Sequence, residues 1–180
     1  MKETKTSNPL SKRTNGRSAE SLYMLVHGAL IAAIYIVLTM LFRPISFGPI
    51  QFRISEALCV LPYFTPAAVP GVFIGCLIAN VMGGAMIMDV VFGSLATLIG
   101  AVGSWILRGN RYLVSLPPIL SNTLIIPWVL KFAYGSEDMI WFMMITVGIG
   151  EVLAIGVLGQ FLITVLSKYR NVIFGEKTIY

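Results

Sequence analysis

The chain has 180 residues, of which 57% are hydrophobic and only 12% charged, and its mean hydropathy is +0.84. That balance excludes a water-soluble globular domain and assigns the chain to the bilayer. The net charge of +5 does not point to nucleic acid, because the basic residues sit in tails and loops with no aromatic-basic face among them.

Residues 1–20 are polar, mix both charge signs, and are expected to form a disordered basic tail. An apolar run at 22–42 follows, long enough to cross the hydrocarbon, for which about 20 residues are needed. Five further apolar segments come after it, so it is not expected to be a cleaved signal. Within it, HGALIAAIYIVL carries Ala29 and Ala33 four apart, with Gly28 and Ala32 beside them. Small residues at this spacing let another helix approach closely, either inside the bundle or from a separate protein. His27 has no paired carboxylate or nucleophile and reads as a packing or interfacial residue.

Pro44, Gly48 and Pro49 break the chain, so residues 43–53 are expected to form an outer loop able to fold over a cavity mouth. Arg53 and Glu56, three apart at the start of the second span (54–64), can pair on one face; Gln51 and Glu56 are placed to touch a ligand. Spans two and three (67–82) are each short, and Pro62, Pro66 and Pro70 disfavour one straight helix, so a tight helical hairpin is expected. Cys59 and Cys76 fall in apolar runs without metal-ligand spacing and read as small buried residues. Gly71 and Gly75 form a G-x-x-x-G at helix-packing spacing.

Spans four, five and six are read at 86–107, 116–132 and 139–166. The runs are continuous and do not alternate with period two, which argues against a barrel. The expected fold is an all-α membrane protein, a six-helix transmembrane bundle over residues 21–168, followed by a cytoplasmic tail at 169–180. With both termini in the cytoplasm, ten cations fall inside (Lys2, Lys5, Lys12, Arg13, Arg17, Arg108, Arg111, Lys168, Arg170, Lys177) and three outside (Arg43, Arg53, Lys131). That asymmetry obeys the positive-inside bias.

At about 1.5 Å per helical residue, Glu56, Asn80 and Asp89 each lie within a turn of an outer span end, while Asn122 and Glu151 lie near mid-membrane. A carboxylate facing lipid costs about 3 kcal/mol or more, so Asp89 and Glu151 must face protein or a wet cavity. Five polar groups from five spans thus point to one outward-facing pocket; the alternative is that each cross-links helices separately. Trp128, Tyr134 and Trp141 flank the outer ends of spans five and six as belt residues, although Trp128 or Phe47 can instead stack on a flat ligand. No phosphate-cradling loop, metal cluster or catalytic constellation is visible, so neither a cofactor nor an ATPase activity is expected. A small intramembrane enzyme using Glu151 and Asp89 as acid and base, and an ATP-independent carrier, stand as alternatives to a binding protein.

Six short spans, the A-x-x-x-A of span one and the outer polar residues resemble the substrate-binding S components of energy-coupling factor (ECF) vitamin transporters. Within that group ISFGPIQFRISEAL, PGVFIGCLIAN, DVVFGSLATL and PPILSNTLI resemble the QueT family of queuosine precursor transporters. The resemblance implies a membrane-embedded subunit that captures a small solute tightly from outside and docks on a transmembrane coupling protein driven by two ATPases. It places Ala29 and Ala33 against the coupling protein, and the solute among residues 43–53, Asp89, Asn122 and Glu151. A 7-deazaguanine base suits these groups. Its neighbouring N–H donors match a carboxylate, Glu151 or Glu56, and its O6 matches Asn122, Gln51 or Arg53. Asp89 can neutralise an aminomethyl arm.

Overall fold

The computed structural model describes residues 9–46 and 52–174, so Phe47 and Gln51 lie outside the described residues. The elements in chain order are α1 (Pro9–Leu41), α2 (Arg43–Ser46), a 3-10 helix (Ile54–Tyr63), α3 (Ala68–Gly83) and α4 (Ile87–Ile106). After a short 3-10 turn (Leu113–Ser115) come α5 (Leu116–Ala133), α6 (Ile140–Glu151), a π-helical stretch (Val152–Gly159), α7 (Gln160–Lys168) and α8 (Arg170–Ile173). No strand occurs among the described residues. The helix α1 starts at Pro9, within the segment expected to be a disordered tail.

Four continuous helical stretches are long and apolar enough to span a membrane: Glu20–Leu41, Ile87–Ile106, Leu113–Ala133 and Ile140–Lys168. The two shorter apolar helices are Ile54–Tyr63 and Ala68–Gly83. The expected all-α membrane fold is therefore present, with six apolar helical segments of which four are long enough to span.

Packing follows a chain of neighbours, α1 on α3, α3 on α4, α4 on α5 and α5 on α6, with the 3-10 helix in the middle touching α1, α3, α4 and the π stretch. Every residue from Ser55 to Pro62 is buried. The 3-10 form suits this position. Pro62 supplies no N–H to an α ladder, and at about 2.0 Å per residue ten residues reach about 20 Å, against about 15 Å as an α-helix. A short segment thereby stretches further through the protein core.

The G-x-x-x-G of α3 works inside the bundle. A Cβ on Gly71 would lie 2.8 Å from the Gly28 carbonyl oxygen, and one on Gly75 would lie 2.8 Å from Tyr35 Cβ. Gly28 and Ala32 therefore belong to the buried face of α1, whereas Ala29 and Ala33, one residue further round, are exposed together with Leu25, Leu30, Val37 and Leu41. At one end of the bundle Tyr23 of α1 donates its hydroxyl to the Phe174 carbonyl (3.2 Å) and Phe174 stacks on Phe64 at 5.0 Å.

Candidate functional site

Three residues per turn put Arg53, Glu56 and Cys59 on one face of the 3-10 helix. Glu56 is 1% exposed and its carboxylate is enclosed by donors. Tyr35 of α1 donates its hydroxyl to Oε1, Cys59 Sγ lies 3.0 Å from Oε2, and Thr97 Oγ1 of α4 lies 3.4 Å from Oε1. Thr97 shares its single proton among Glu56, Cys76 Sγ (3.4 Å) and the Gly93 carbonyl (3.1 Å). Beside this network Thr39 donates to Ser55 at 2.7 Å. Glu56 thus ties together α1, α4 and the central helix through neutral donors.

One turn before Glu56, Arg53 reaches across to α4, where its Nη2 lies 3.4 Å from Asp89 Oδ2. The same oxygen accepts from the Tyr134 hydroxyl at 3.1 Å, and that hydroxyl in turn accepts from the Met86 amide at 3.2 Å. Partial burial raises the Tyr134 phenol above its ordinary value and the Asp89 charge adds to this, so the phenol stays a neutral donor. Asn80 of α3 approaches the Asp89 backbone carbonyl at 3.5 Å. A Cβ on Gly93, one turn along α4, would stand 2.8 Å from Asp89 Oδ1 and 3.4 Å from Asn80 Nδ2, so the carboxylate packs directly over the glycine.

The third part comes from α5 and α6. Glu151, the last residue of α6, is 4% exposed, has the Asn122 side chain as its polar neighbour, and lies within the electrostatic reach of Glu56 and Arg53. The helix widens into its π stretch at the next residue, a distortion that recurs at functional sites. Gly159, at the end of that stretch, lets the backbone close on the central helix, since a Cβ there would be 2.8 Å from Val60.

Across this cluster Asp89 Oδ1, Asn122 Oδ1 and Glu151 Oε2 are buried and have no hydrogen-bond partner among the described residues. An unmet buried polar atom costs about 1–3 kcal/mol, more if charged. Each such atom calls for a partner that the described residues do not supply.

Of the site residues read from sequence, Arg53, Glu56, Asn80, Asp89, Asn122 and Glu151 are thus buried; shared partners join the first four, while Asn122 and Glu151 form a separate pair within electrostatic reach of Glu56 and Arg53. Arg53 was expected to pair with Glu56; its ion pair runs instead to Asp89, because the side chain projects outward from the start of the helix onto α4. Trp128 is placed apart. It is 46% exposed, lies over Phe132, and lines an apolar groove of about 240 Å³ with Met88, Phe92, Leu124 and Val129. Tyr134, read as a belt residue, is a site partner through Asp89. Tyr35, Thr97 and both cysteines were not read as site groups. A phenol in the middle of an apolar span was the available signal, since a buried Tyr hydroxyl requires a partner.

These features define a class: a multi-pass α-helical membrane protein with a charged, hydrogen-bonded centre shielded from lipid. The chain belongs to the QueT transporter family, whose sequence model matches residues 25–168. It is also 42% identical over 79 residues to the queuosine precursor transporter QueT of Lactococcus lactis subsp. cremoris strain MG1363, an alignment covering 43% of this chain and 46% of that relative. No solved structure matches the chain.

Proposed function

We propose that the protein is the substrate-binding S component of an ECF-type importer for a queuosine precursor, a 7-deazaguanine base or queuine. Membership of the QueT transporter family supports this, as does the name of the Lactococcus relative. The observation that carries the reading is the buried cluster of Arg53, Glu56, Asp89, Asn122 and Glu151 with three oxygens awaiting donors.

Glu151 takes the adjacent N–H groups of the guanine-like edge, as a carboxylate does in a two-point contact. Asn122, its polar neighbour, sets its orientation, while Arg53, with Gln51 nearby in sequence, supplies donors for O6. Glu56 holds the helices beneath the ligand, because its oxygens are already engaged by Tyr35, Thr97 and Cys59. Trp128 is left out of the pocket.

Both termini face the cytoplasm, in keeping with the ten-to-three distribution of cations, and the ligand enters from outside. The exposed Ala29 and Ala33 on α1 form the contact with a transmembrane coupling protein, and two ATPases supply the energy that this chain does not generate.

Calorimetry on the purified chain without ATP tests the substrate: queuine or its precursor bases should bind, and the absence of heat with all of them rejects the assignment. Glu151→Gln should weaken binding by at least about tenfold, as loss of a charged two-point contact does; an unchanged affinity removes Glu151 from the pocket.

A further inference from the structure

Arg108 and Arg111 stand in the turn of residues 107–112 that follows α4, at the far end of that helix from Asp89 and separated from it by about 25 Å of helix. Arg111 donates through Nη2 to Thr164 Oγ1 of α7 at 2.8 Å, and Lys168 follows Thr164 one turn further along the same helix. Among the described residues none of these three cations has an ion pair. Glu56, Asp89 and Glu151 are buried in the charged cluster, and Glu137 and Asp138 lie between α5 and α6, at the opposite end of α5. That leaves Glu20, at the start of the α1 span, as the one exposed carboxylate at this end among the described residues.

Both guanidiniums are ordered by neutral contacts. Arg108 lies 3.5 Å from the centroid of the Trp105 ring and Arg111 lies 5.1 Å from that of Tyr112. The Arg111 backbone is fixed as well: its carbonyl accepts from Gln160 Nε2 at 2.7 Å, and the same amide donates to Ser115 Oγ at 2.8 Å. Nη2 is the only guanidinium nitrogen of Arg111 with a hydrogen-bond partner among the described residues, so the fork keeps donors for an incoming acceptor. On the side of the spans the turn borders on exposed hydrocarbon, Ile106, Leu113, Leu116 and Phe161. Positioned cations, interfacial rings and an apolar skirt match in order the phosphate, the headgroup level and the acyl chains of a phospholipid.

We infer that this turn binds the headgroup of an anionic phospholipid, its phosphate shared by Arg108, Arg111 and Lys168 and an acyl chain lying along Leu113 and Leu116. A guanidinium fork meets two phosphate oxygens at once, and the lysine adds a point charge beside it. A zwitterionic lipid presents the same phosphate but brings an ammonium as well, for which the turn offers no carboxylate. In the orientation proposed above the leaflet concerned is the cytoplasmic one. The lipid site is independent of the solute and of the coupling protein, since neither the buried cluster nor the Ala29–Ala33 face takes part in it.

Trp105 reports on the site directly, because its ring lies against Arg108. Trp128→Phe with Trp141→Phe removes the other two tryptophans, both of them exposed, and leaves Trp105 as the sole fluorophore of its kind. The full-length chain is placed in phosphatidylcholine vesicles containing a small fraction of a lipid with brominated acyl chains, either phosphatidylglycerol or phosphatidylcholine, and quenching of Trp105 gives their relative affinity. Phosphatidylglycerol should be preferred at least about fivefold, the equivalent of one basic residue acting at the surface. Arg111→Gln and Lys168→Gln should each lower that preference by about twofold or more, and either suffices if the other does not fold. A wild-type ratio near one overturns the inference and leaves these cations to an acidic protein partner. A preference that survives the substitutions overturns it too, since it would then come from the diffuse positive charge of this end of the protein.

Discussion

Tyr35→Phe removes one oxygen and nothing else from the centre of the bundle. The Tyr35 side chain is fully buried, and its hydroxyl is one of three donors around a Glu56 carboxylate that is itself 1% exposed. A hydrogen bond to a charged group contributes about 1.5–3 kcal/mol, and the larger part of the loss arises because the remaining carboxylate oxygen stays buried without its strongest donor. Cys59 and Thr97 compensate poorly, the first because a thiol is a weak donor and the second because it also faces Cys76 and the Gly93 carbonyl. The variant should therefore lower the apparent unfolding free energy by about 2 kcal/mol, measured by denaturant titration in detergent. Glu56→Gln and the double variant complete a cycle, and the two sites should couple by about 1 kcal/mol or more. Affinity for the base should change by less than about threefold, equivalent to under 1 kcal/mol. Unchanged stability with a tenfold or greater loss of affinity would refute the reasoning, since Glu56 would then address the ligand and Tyr35 would orient it.

Four further outcomes are expected. Gly75→Leu should force α1 and α3 apart at Tyr35 and Ala32, destabilising the protein by about 1–3 kcal/mol in the same titration; a neutral result would mean that the close approach is not structural. Ala29→Trp and Ala33→Trp should leave base binding intact and abolish uptake in vesicles containing the energising module, whereas loss of binding would place that face inside the bundle. Trp128→Ala should leave affinity within about twofold, because the indole lies in an apolar groove away from the charged cluster; a large loss would bring the groove into the binding site. Tyr134→Phe should lower stability by about 0.5–1.5 kcal/mol in the same titration by removing a donor from Asp89, and an unchanged stability would make the Tyr134 contact incidental.

Much of the architecture was legible before any coordinates. Apolar run length locates helices well, and the sequence-derived spans at 67–82 and 86–107 differ from Ala68–Gly83 and Ile87–Ile106 by a single residue at each end. The cost of polar side chains in lipid likewise marked Asp89, Asn122 and Glu151 as interior groups. What run length does not encode is helix type. Ile54–Tyr63 and Val152–Gly159 are apolar runs like the α-helical ones, and nothing in their hydropathy distinguishes the 3-10 and π forms they take. Hydrogen-bond partners were equally hidden, because Tyr35 lies 21 residues from Glu56 and Tyr134 lies 45 from Asp89. Spacing arguments see only three or four residues along a helix, which is why Arg53 and Glu56 looked like a pair. An aromatic near a span end, such as Trp128, has the same sequence signature whether it meets a ligand or lipid.

The stretched central helix has a mechanical corollary. One end of it bears Arg53, and just past the other Phe64 stacks on Phe174, which also accepts from Tyr23 of α1. Rewinding its ten residues to α geometry would shorten it by about 5 Å and swing Cys59 about 60° from beneath Glu56. The segment is thus a strut inside the bundle, walled off from lipid, and a displacement at its Phe64 end is delivered directly to the charged residues at the other.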